Sequence, residues 1–324
     1  MEKITLTKPD DWHLHLRGGA AMKSVVGMSA LQMGRGVIMP NLSPPIKNVS
    51  QAIAYHKEIM SALPIETTFN PLMVLYLTDS TTKNEIIEAS EAQEVHAVKL
   101  YPAGATTNSD SGVTNLSNTY PALEQMQKDG IPLLIHGEVT DNNIDVFDRE
   151  KVFIDRTLTK LVQDFPGLKI VLEHITTKDA VDFVNECEIN IAATITPHHL
   201  LANRNNMLVG GIKPHYYCLP VLKRQSPHQD SLIAAAVSGS PKFFLGTDSA
   251  PHEKHQKESS CGCAGIFSAH AAIELYAEAF DRAGKIEMLE GFSSFFGAAF
   301  YGLQRNQEKI TLGKDTWRIP ESFN

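Results

Sequence analysis

The sequence predicts an α/β fold, a (β/α)8 TIM barrel formed by a single domain. Short runs rich in apolar and β-branched residues alternate with longer segments that have helical spacing. Strands that alternate with helices indicate a parallel sheet covered by those helices. Eight such strands in one chain favour a closed barrel over an open sheet. The length of 324 residues agrees with this, because barrels of this size are routinely one unit.

The predicted elements follow one another without an obvious linker or low-complexity segment. The eight strands lie in the runs DDWHLHLR, GVIMPNL, TFNPLMVLYLT, VHAVKLYP, IPLLIHGEV, LKIVLEHIT, INIAATITP and KFFLGTDSAPH. The helices are expected near residues 21–33, 48–62, 82–92, 118–129, 148–164, 177–186, 228–238, 266–283 and 287–300. We therefore expect residues 1–324 to form one barrel domain, with a short C-terminal tail from about residue 304.

Composition and charge narrow the classes of partner. The formal net charge is −8 and the basic residues form no cluster, so we expect no nucleic-acid partner. No apolar run approaches the roughly 20 residues of a membrane span, and no signal peptide is expected. The four cysteines are expected to be reduced thiols of a cytoplasmic protein. A small molecule is the expected partner, and a homodimer is left open.

Residues that can bind metal ions recur at the ends of the predicted strands. His13 and His15 end the first strand, and residues i and i+2 of a strand project from the same face. His136 ends the fifth strand, His174 the sixth and Asp248 the eighth. The C-terminal ends of barrel strands meet at one rim, where the active sites of such barrels form. Imidazole and carboxylate groups together suit zinc, so the pattern predicts a metal site at this rim.

Lys99 lies in the fourth predicted strand between Val98 and Leu100. A buried ammonium without a partner is costly, so this lysine reaches solvent, forms an ion pair or is uncharged. A neutral amine can react with carbon dioxide to give a carbamate, whose two oxygens can bridge two metal ions. Burial favours the neutral amine. The lysine alone leaves these alternatives open, and only the nearby histidines and aspartate favour the carbamate.

Longer motifs resemble the amidohydrolase superfamily and, within it, the monofunctional bacterial type of the dihydroorotase family. Between about residues 5 and 303 these motifs are WHLHLR, MPNL, KLYPAGATTNS, LLIHGEV, LEHITT, TITPHHL, YCLPVLK, GTDSAPH and KESSCGCAG. Their length and order make the resemblance more specific than any single short motif. Two features depart from the family. Gly104 stands where some relatives have asparagine, and the chain after Gly302 is shorter than the family's C-terminal region.

The resemblance implies an amidohydrolase-type barrel with two Zn²⁺ per subunit, bridged by carbamylated Lys99 and by a hydroxide. The implied metal ligands are His13, His15, Lys99, His136, His174 and Asp248. The implied reaction is the reversible cyclisation of N-carbamoyl-L-aspartate to L-dihydroorotate in pyrimidine (UMP) biosynthesis. The hydroxide would be the nucleophile of ring opening, and Asp248 would act as general acid and base.

The resemblance also implies residues that bind the substrate. They are Arg17, Asn41, Thr106, Thr107, Leu219, His252 and Ala264, of which Leu219 and Ala264 would contribute backbone groups. Arg17 could hold a substrate carboxylate with two parallel hydrogen bonds; otherwise it is a surface arginine near a Gly-Gly turn. Thr106 and Thr107 lie in a loop that would close over the substrate. Without the resemblance, an ordinary solvated loop is the better interpretation.

Two other functions remain as alternatives. Another cyclic amidohydrolase, such as a hydantoinase, dihydropyrimidinase or allantoinase, would use the same metal ligands. It would have less need for Arg17, Asn41 and His252, because its substrate ring is neutral. A non-catalytic scaffold barrel would be expected to have lost metal ligands. His198 and His199 are expected to point in opposite directions on a strand and are assigned no role.

Overall fold

The computed structural model describes residues 2–316, 318 and 320–322, and its centre is a barrel of eight parallel strands. The strands are β1 (Lys3–Thr7), β2 (Asp10–Leu14), β3 (Arg35–Ile38), β4 (Asn70–Tyr76), β5 (Val95–Leu100), β6 (Leu133–Ile135), β7 (Ile170–Leu172), β8 (Ile191–Ile195), β9 (Phe243–Leu245) and β10 (Lys309–Gly313). Strands β2 to β9 form the barrel sheet in chain order. The predicted barrel is confirmed, and each barrel strand overlaps a run that the sequence predicted.

Helices follow the barrel strands. They are α1 (Gly19–Gln32), α2 (Val49–Ala62), α3 (Lys83–Glu91), α4 (Tyr120–Asp129), α5 (Arg149–Phe153), α6 (Thr159–Asp164), α7 (Lys178–Glu186), α8 (Pro197–Leu201), α9 (Arg204–Leu208), α10 (Asp230–Ala236), α11 (Lys254–Lys257), α12 (Ala272–Arg282) and α13 (Phe296–Phe300). A π-helical segment, Ile154–Leu158, joins α5 to α6, so the helix predicted near 148–164 is continuous. Within the described ranges, no helix is long and apolar enough to cross a membrane.

Apolar side chains fill the barrel interior on the side away from the C-terminal ends of the strands. Trp12 and Phe244 belong to this interior cluster, and each is at most 1% exposed. Tyr301 stacks on Trp12, with ring centroids 4.5 Å apart. The Lys169 ammonium, at the N-terminal end of β7, donates to the Phe300 carbonyl at 3.2 Å. The segment after α13 therefore closes the N-terminal end of the barrel and leaves the opposite rim for polar groups.

Strands β1 and β10 form a separate antiparallel sheet, which the sequence did not predict. Lys3 pairs with Gly313, and Thr7 pairs with Lys309. The Lys8 N–H extends the pairing by donating to the Glu308 carbonyl at 2.8 Å. The tail expected from about residue 304 thus contains a strand that returns to the start of the chain.

The barrel closes where its first strand, β2, meets its last, β9. The Asp248 N–H donates to the His13 carbonyl at 2.9 Å. The buried Asp11 carboxylate accepts hydrogen bonds from the Thr247 N–H at 2.9 Å and from the Thr247 hydroxyl at 2.6 Å. These contacts fix the ends of the two strands against each other. Both strand ends carry side chains that the sequence singles out as metal ligands.

Candidate active site

His13, His15 and Asp248 converge at the C-terminal rim of the barrel. The Nε2 atoms of His13 and His15 lie 3.2 Å apart, and Asp248 Oδ1 lies 3.3 Å from the first and 3.1 Å from the second. Ligand atoms about 2.0–2.1 Å from a tetrahedral zinc ion are about 3.3 Å from one another. The three atoms therefore have the spacing of one face of a zinc coordination tetrahedron.

The inward direction of His13 depends on an irregularity in β2. The register of β2 against β3 shifts between Asp11 and Leu14. Trp12 lies in the interior apolar cluster, yet the adjacent His13 also faces the barrel mouth, with its ring centroid 5.0 Å from that of His174. A bulge redirects side chains in this way, and bulges are frequent beside active sites.

His136 and His174 complete the predicted set of histidines. Their ring centroids are 4.9 Å apart, and ligand atoms of His13, His174 and Asp248 lie within 4.8 Å of one another. The backbone is left-handed at His174, with φ 43°, and at Asp248, with φ 45°. Such a conformation costs about 1–3 kcal/mol in a residue other than glycine and clusters at functional sites. Here each of the two residues lies just after a barrel strand, where the chain leaves the sheet.

Lys99 is fully buried, and its amine contacts the Glu173 carboxylate. Its Nζ atom also lies 4.9 Å from the centroid of the Tyr101 ring. Burial holds the pKa of Lys99 well below its usual value, which favours the neutral amine. Of the alternatives left open by the sequence, the solvent-exposed lysine is wrong.

Two buried glutamates beside the predicted ligands were not anticipated. Glu173 Oε1 lies 3.1 Å from His13 Nδ1, and Glu138 Oε2 lies 3.0 Å from His136 Nε2. A carboxylate at the second nitrogen of a metal-binding imidazole fixes its tautomer and its orientation. The available signal was the sequence itself, because Glu173 precedes a strand-end histidine and Glu138 follows one by two residues.

The protonation states of the cluster suit a cation. Burial lowers the pKa of His15 to about 3 and the pKa of His174 well below its usual value. Burial would raise the pKa of Asp248, but the adjacent His13 and His15 hold it well below the ordinary range. Neutral imidazoles and ionised carboxylates are the forms that bind metal ions. The donor set therefore fits a divalent metal that takes nitrogen and oxygen ligands.

The cluster opens into a pocket at the C-terminal rim of the barrel. Its lining includes six of the seven residues predicted to bind substrate, namely Arg17, Asn41, Thr106, Thr107, Leu219 and Ala264. The buried Tyr101 also lines the pocket and was not predicted.

The seventh predicted residue, His252, does not line the pocket itself but contacts Arg17, which does. The Arg17 Nε–H donates to the Pro251 carbonyl at 3.1 Å, and Arg17 Nη2 lies 3.1 Å from His252 Nε2. His252 Nε2 is also 3.0 Å from the Ala264 carbonyl oxygen. The Tyr55 hydroxyl donates to the Arg17 carbonyl at 2.5 Å. Arg17 is therefore fixed in the pocket wall, and the interpretation as a free surface arginine is wrong.

The threonine loop is held over Asn41. The Asn41 amide donates to the Thr107 carbonyl at 3.0 Å, and the Asn108 amide donates to the Asn41 carbonyl at 3.0 Å. Gly104 in this loop has φ +76°, with nothing within 4 Å of the position of an added Cβ. Asparagine is the other residue that adopts left-handed backbone readily. The departure from the family at Gly104 therefore preserves the conformation of the loop.

His198 and His199 occupy the start of α8, so their prediction as part of a strand is wrong. Their ring centroids are 4.7 Å apart, and Cys218 lies close enough for the three to offer ligand atoms within 4.8 Å. Both ring nitrogens of His199 are already near oxygens, at 2.7 Å from Thr196 Oγ1 and 3.2 Å from the Pro220 carbonyl. Hydrogen bonding thus accounts for His199 without a metal ion.

Comparison with known proteins identifies the family. A model of the amidohydrolase family matches residues 10–319. A dihydroorotase of Shewanella denitrificans is 61% identical over 323 residues, which cover 100% of this chain and 94% of the relative. The chain belongs to the amidohydrolase family, among the dihydroorotases. A dihydroorotase of Teredinibacter turnerae is also 61% identical, over 99% of this chain and 93% of that protein.

Solved structures agree with this assignment. The crystal structure of a Saccharomyces cerevisiae dihydroorotase in complex with 5-fluoroorotic acid has a TM-score of 0.91 and 36% sequence identity, covering 100% of this chain and 93% of that one. An L-hydantoinase of Arthrobacter aurescens has a TM-score of 0.77 but only 13% identity, over 93% of this chain and 72% of that one. The second likeness shows the shared fold alone.

Proposed function

We propose that this chain catalyses the reversible interconversion of N-carbamoyl-L-aspartate and L-dihydroorotate in pyrimidine synthesis. One observation carries the proposal. The triangle formed by His13, His15 and Asp248 opens into the same pocket as Arg17 and Asn41. A metal-binding cluster beside a carboxylate-binding arginine is the arrangement that a cyclic amide with a carboxylate substituent requires. The dihydroorotases at 61% identity support the same conclusion.

We propose two Zn²⁺ ions per subunit at this rim. His13, His15 and Asp248 would hold one ion, and His136 and His174 the other. The spacing of the first three ligand atoms, between 3.1 and 3.3 Å, supports the first site. When bound, such a metal pair supplies a water of lowered pKa and polarises the carbonyl that is attacked.

We propose that Lys99, as its carbamate, bridges the two ions. Carbamate formation begins from a neutral amine, and burial depresses the pKa of Lys99 in that direction. The nearby Glu173 would otherwise retain the ammonium as an ion-pair partner. Two divalent ions would compensate the negative charge of both the carbamate and Glu173. Metal loading and carbamylation should therefore depend on each other.

Asp248 moves the proton in this proposal. During ring opening, its carboxylate accepts a proton from the attacking water and delivers it to the ring nitrogen as the C–N bond breaks. During ring closure, it removes the proton from the ureido nitrogen as that nitrogen attacks the side-chain carboxyl carbon, and water leaves. The bond from the Asp248 N–H to the His13 carbonyl, at 2.9 Å, holds this residue at the rim.

The pocket wall would bind the rest of the substrate. Arg17, Asn41 and His252 are proposed to bind its carboxylate, since a guanidinium can pair with both carboxylate oxygens. Backbone groups of Leu219 and Ala264 would bond to the ring, and the hydroxyls of Thr106 and Thr107 would approach it from the loop. Closure of that loop would exclude water from the reacting atoms.

The same features bear on domain organisation and location. We propose that the chain acts as one domain, because β10 returns to pair with β1 beside the barrel. All four cysteines are free thiols, and two of them, Cys187 and Cys218, are half-buried and buried, which suits the reducing cytoplasm. A homodimer stays a prediction, to be tested by sedimentation of the purified protein.

The purified protein should be assayed with zinc and bicarbonate for ring opening of L-dihydroorotate, beside hydantoin and dihydrouracil. We expect activity confined to dihydroorotate and lost on chelation. Turnover mainly of the neutral rings would favour the hydantoinase or dihydropyrimidinase alternative and contradict the role of Arg17. Stoichiometric zinc without any turnover would favour the scaffold alternative.

A further inference from the structure

We propose that Lys257 is a positioning residue for substrate binding, which fixes the two loops that present Leu219 and Ala264 to the pocket. This inference rests on the proposed function, because it assigns a consequence to the substrate contacts of those loops. Lys257 is 4% exposed. It is not among the residues that line the pocket, so it acts through other residues.

Three backbone carbonyls surround the Lys257 ammonium. Its Nζ atom donates to the carbonyls of Tyr217 at 2.8 Å, Cys263 at 2.7 Å and Gly265 at 2.8 Å. No carboxylate in the described part of the chain forms an ion pair with it. An ammonium has three N–H donors, so each donor of Lys257 is hydrogen-bonded to a main-chain oxygen.

The three carbonyls belong to two different loops. Tyr217 lies two residues before Leu219 in the loop that follows α9, whereas Cys263 and Gly265 flank Ala264 in the loop that follows α11. The Gly265 N–H also donates to the Tyr217 carbonyl at 3.0 Å. Lys257 therefore ties together two segments that are separated in sequence and that each line the pocket.

Lys257 and its three carbonyl partners, the Lys257 clamp, are also connected to the proposed carboxylate site. The Ala264 carbonyl lies 3.0 Å from His252 Nε2, which lies 3.1 Å from the Arg17 guanidinium. At Gly265, an added Cβ would lie 2.5 Å from the Ala250 carbonyl oxygen, so the loop is packed closely against the segment that follows β9. A shift of Ala264 would move both its own backbone groups and the partners of Arg17.

The test compares Lys257→Met with Lys254→Met. Both substitutions remove an ammonium from α11, but the Lys254 side chain is 78% exposed and its ion pair to Glu258 is long, at 3.9 Å. In Lys257→Met we expect KM for dihydroorotate to rise about 10- to 100-fold, with kcat within about threefold and zinc content unchanged. Lys254→Met should match the parent protein. An unchanged KM in Lys257→Met, or a fall in kcat alone, would overturn the proposal.

Two further measurements keep the result interpretable. Lys257→Gln retains two donors, so its KM should lie between those of the parent and Lys257→Met; equal values for both variants would contradict the clamp. Hydrogen exchange of residues 259–266 tests the clamp without any substrate. We expect faster exchange there in Lys257→Met but not in Lys254→Met, and unchanged exchange would refute the clamp even if the parent protein proved inactive on dihydroorotate.

Discussion

Replacing Thr247 by valine tests whether the contact between β2 and β9 supports the metal site. The Thr247 hydroxyl donates to Asp11 Oδ2 at 2.6 Å and accepts from the Ser249 N–H at 3.0 Å. Thr247 is fully buried, and Asp11 is 2% exposed. Valine retains the shape of the side chain but removes the hydroxyl. The substitution therefore deprives a buried carboxylate of one donor and a buried N–H of its acceptor.

The expected loss of stability follows from these two bonds. A hydrogen bond to a charged group contributes about 1.5–3 kcal/mol, and an unsatisfied buried N–H costs about 1–3 kcal/mol. We expect Thr247→Val to lower the free energy of unfolding by about 4 kcal/mol. Thr247→Ser is the matched control, because it keeps the hydroxyl and removes one buried methyl, at about 1 kcal/mol.

The pH dependence of this loss of stability tests whether the Asp11 carboxylate is the group that loses its hydrogen bond. Burial raises the pKa of Asp11 to about 6, although hydrogen bonds from Thr247 oppose the increase. A carboxyl whose pKa is raised on folding destabilises the native state as pH rises towards that pKa, and loss of a donor raises the pKa further. The loss of unfolding free energy in Thr247→Val should therefore be larger at pH 8 than at pH 5.

Urea unfolding of the metal-free proteins, followed by far-UV circular dichroism, measures these differences. For a chain of this size, about 4 kcal/mol corresponds to a midpoint about 1 M lower in urea. The reasoning would be refuted if valine were tolerated as well as serine, or if the deficit did not depend on pH. Zinc content should fall in Thr247→Val as well, because the displaced strand ends carry His13 and Asp248.

Substitutions at three other positions test separate parts of the site. Lys99→Ala should lose the metal pair and lower kcat about a thousandfold or more; full activity with two zinc ions bound would contradict the bridging role. Arg17→Ala should raise KM about 100-fold with unchanged zinc content, and a loss of zinc would mean that its role is misassigned. Gly104→Asn should be nearly neutral in thermal unfolding, whereas Gly104→Ala should cost about 1 kcal/mol; equal stability of the two variants would argue against a conformational role.

The barrel could be predicted because its strands and long helices leave local signals. Apolar runs and helical spacing identify every barrel strand and place the ends of most long helices within about two residues. The exception is α12, which begins at Ala272 although the sequence predicted a start near residue 266. The short helices α8, α9 and α11 have only four or five residues, too few to show a period. The pair β1 and β10 was missed for another reason. Its strands lie about 300 residues apart, as Thr7 pairs with Lys309, and neither segment has a partner that can be recognised locally.

The convergence of the proposed metal ligands could be predicted for the same reason that the barrel could. Parallel strands bring their C-terminal ends to one rim, so the sequence position of a strand end already implies a place in space. Lys257 offered no such rule. It acts on carbonyl groups whose positions are decided by the folded loops, and a lysine on the surface would have no such consequence. Sequence reasoning therefore finds residues placed by strands more readily than residues placed by loops.

Backbone strain at the rim connects the fold to the chemistry. Arg17, His174 and Asp248 all have positive φ, at 61°, 43° and 45°, and each follows a barrel strand. A chain that continued in regular strand geometry would alternate its side chains between the barrel interior and the helices. The left-handed residue breaks that alternation where a side chain must return to the mouth. The cost of about 1–3 kcal/mol per residue is sustained only where surrounding contacts determine the conformation, as the Asp248 N–H bond to His13 does at 2.9 Å. If the backbone of any one of these residues adopted an ordinary strand conformation, the backbone strain would be removed and the protein would gain stability. The side chain would then no longer point towards the barrel mouth, and the polar groups would not converge there.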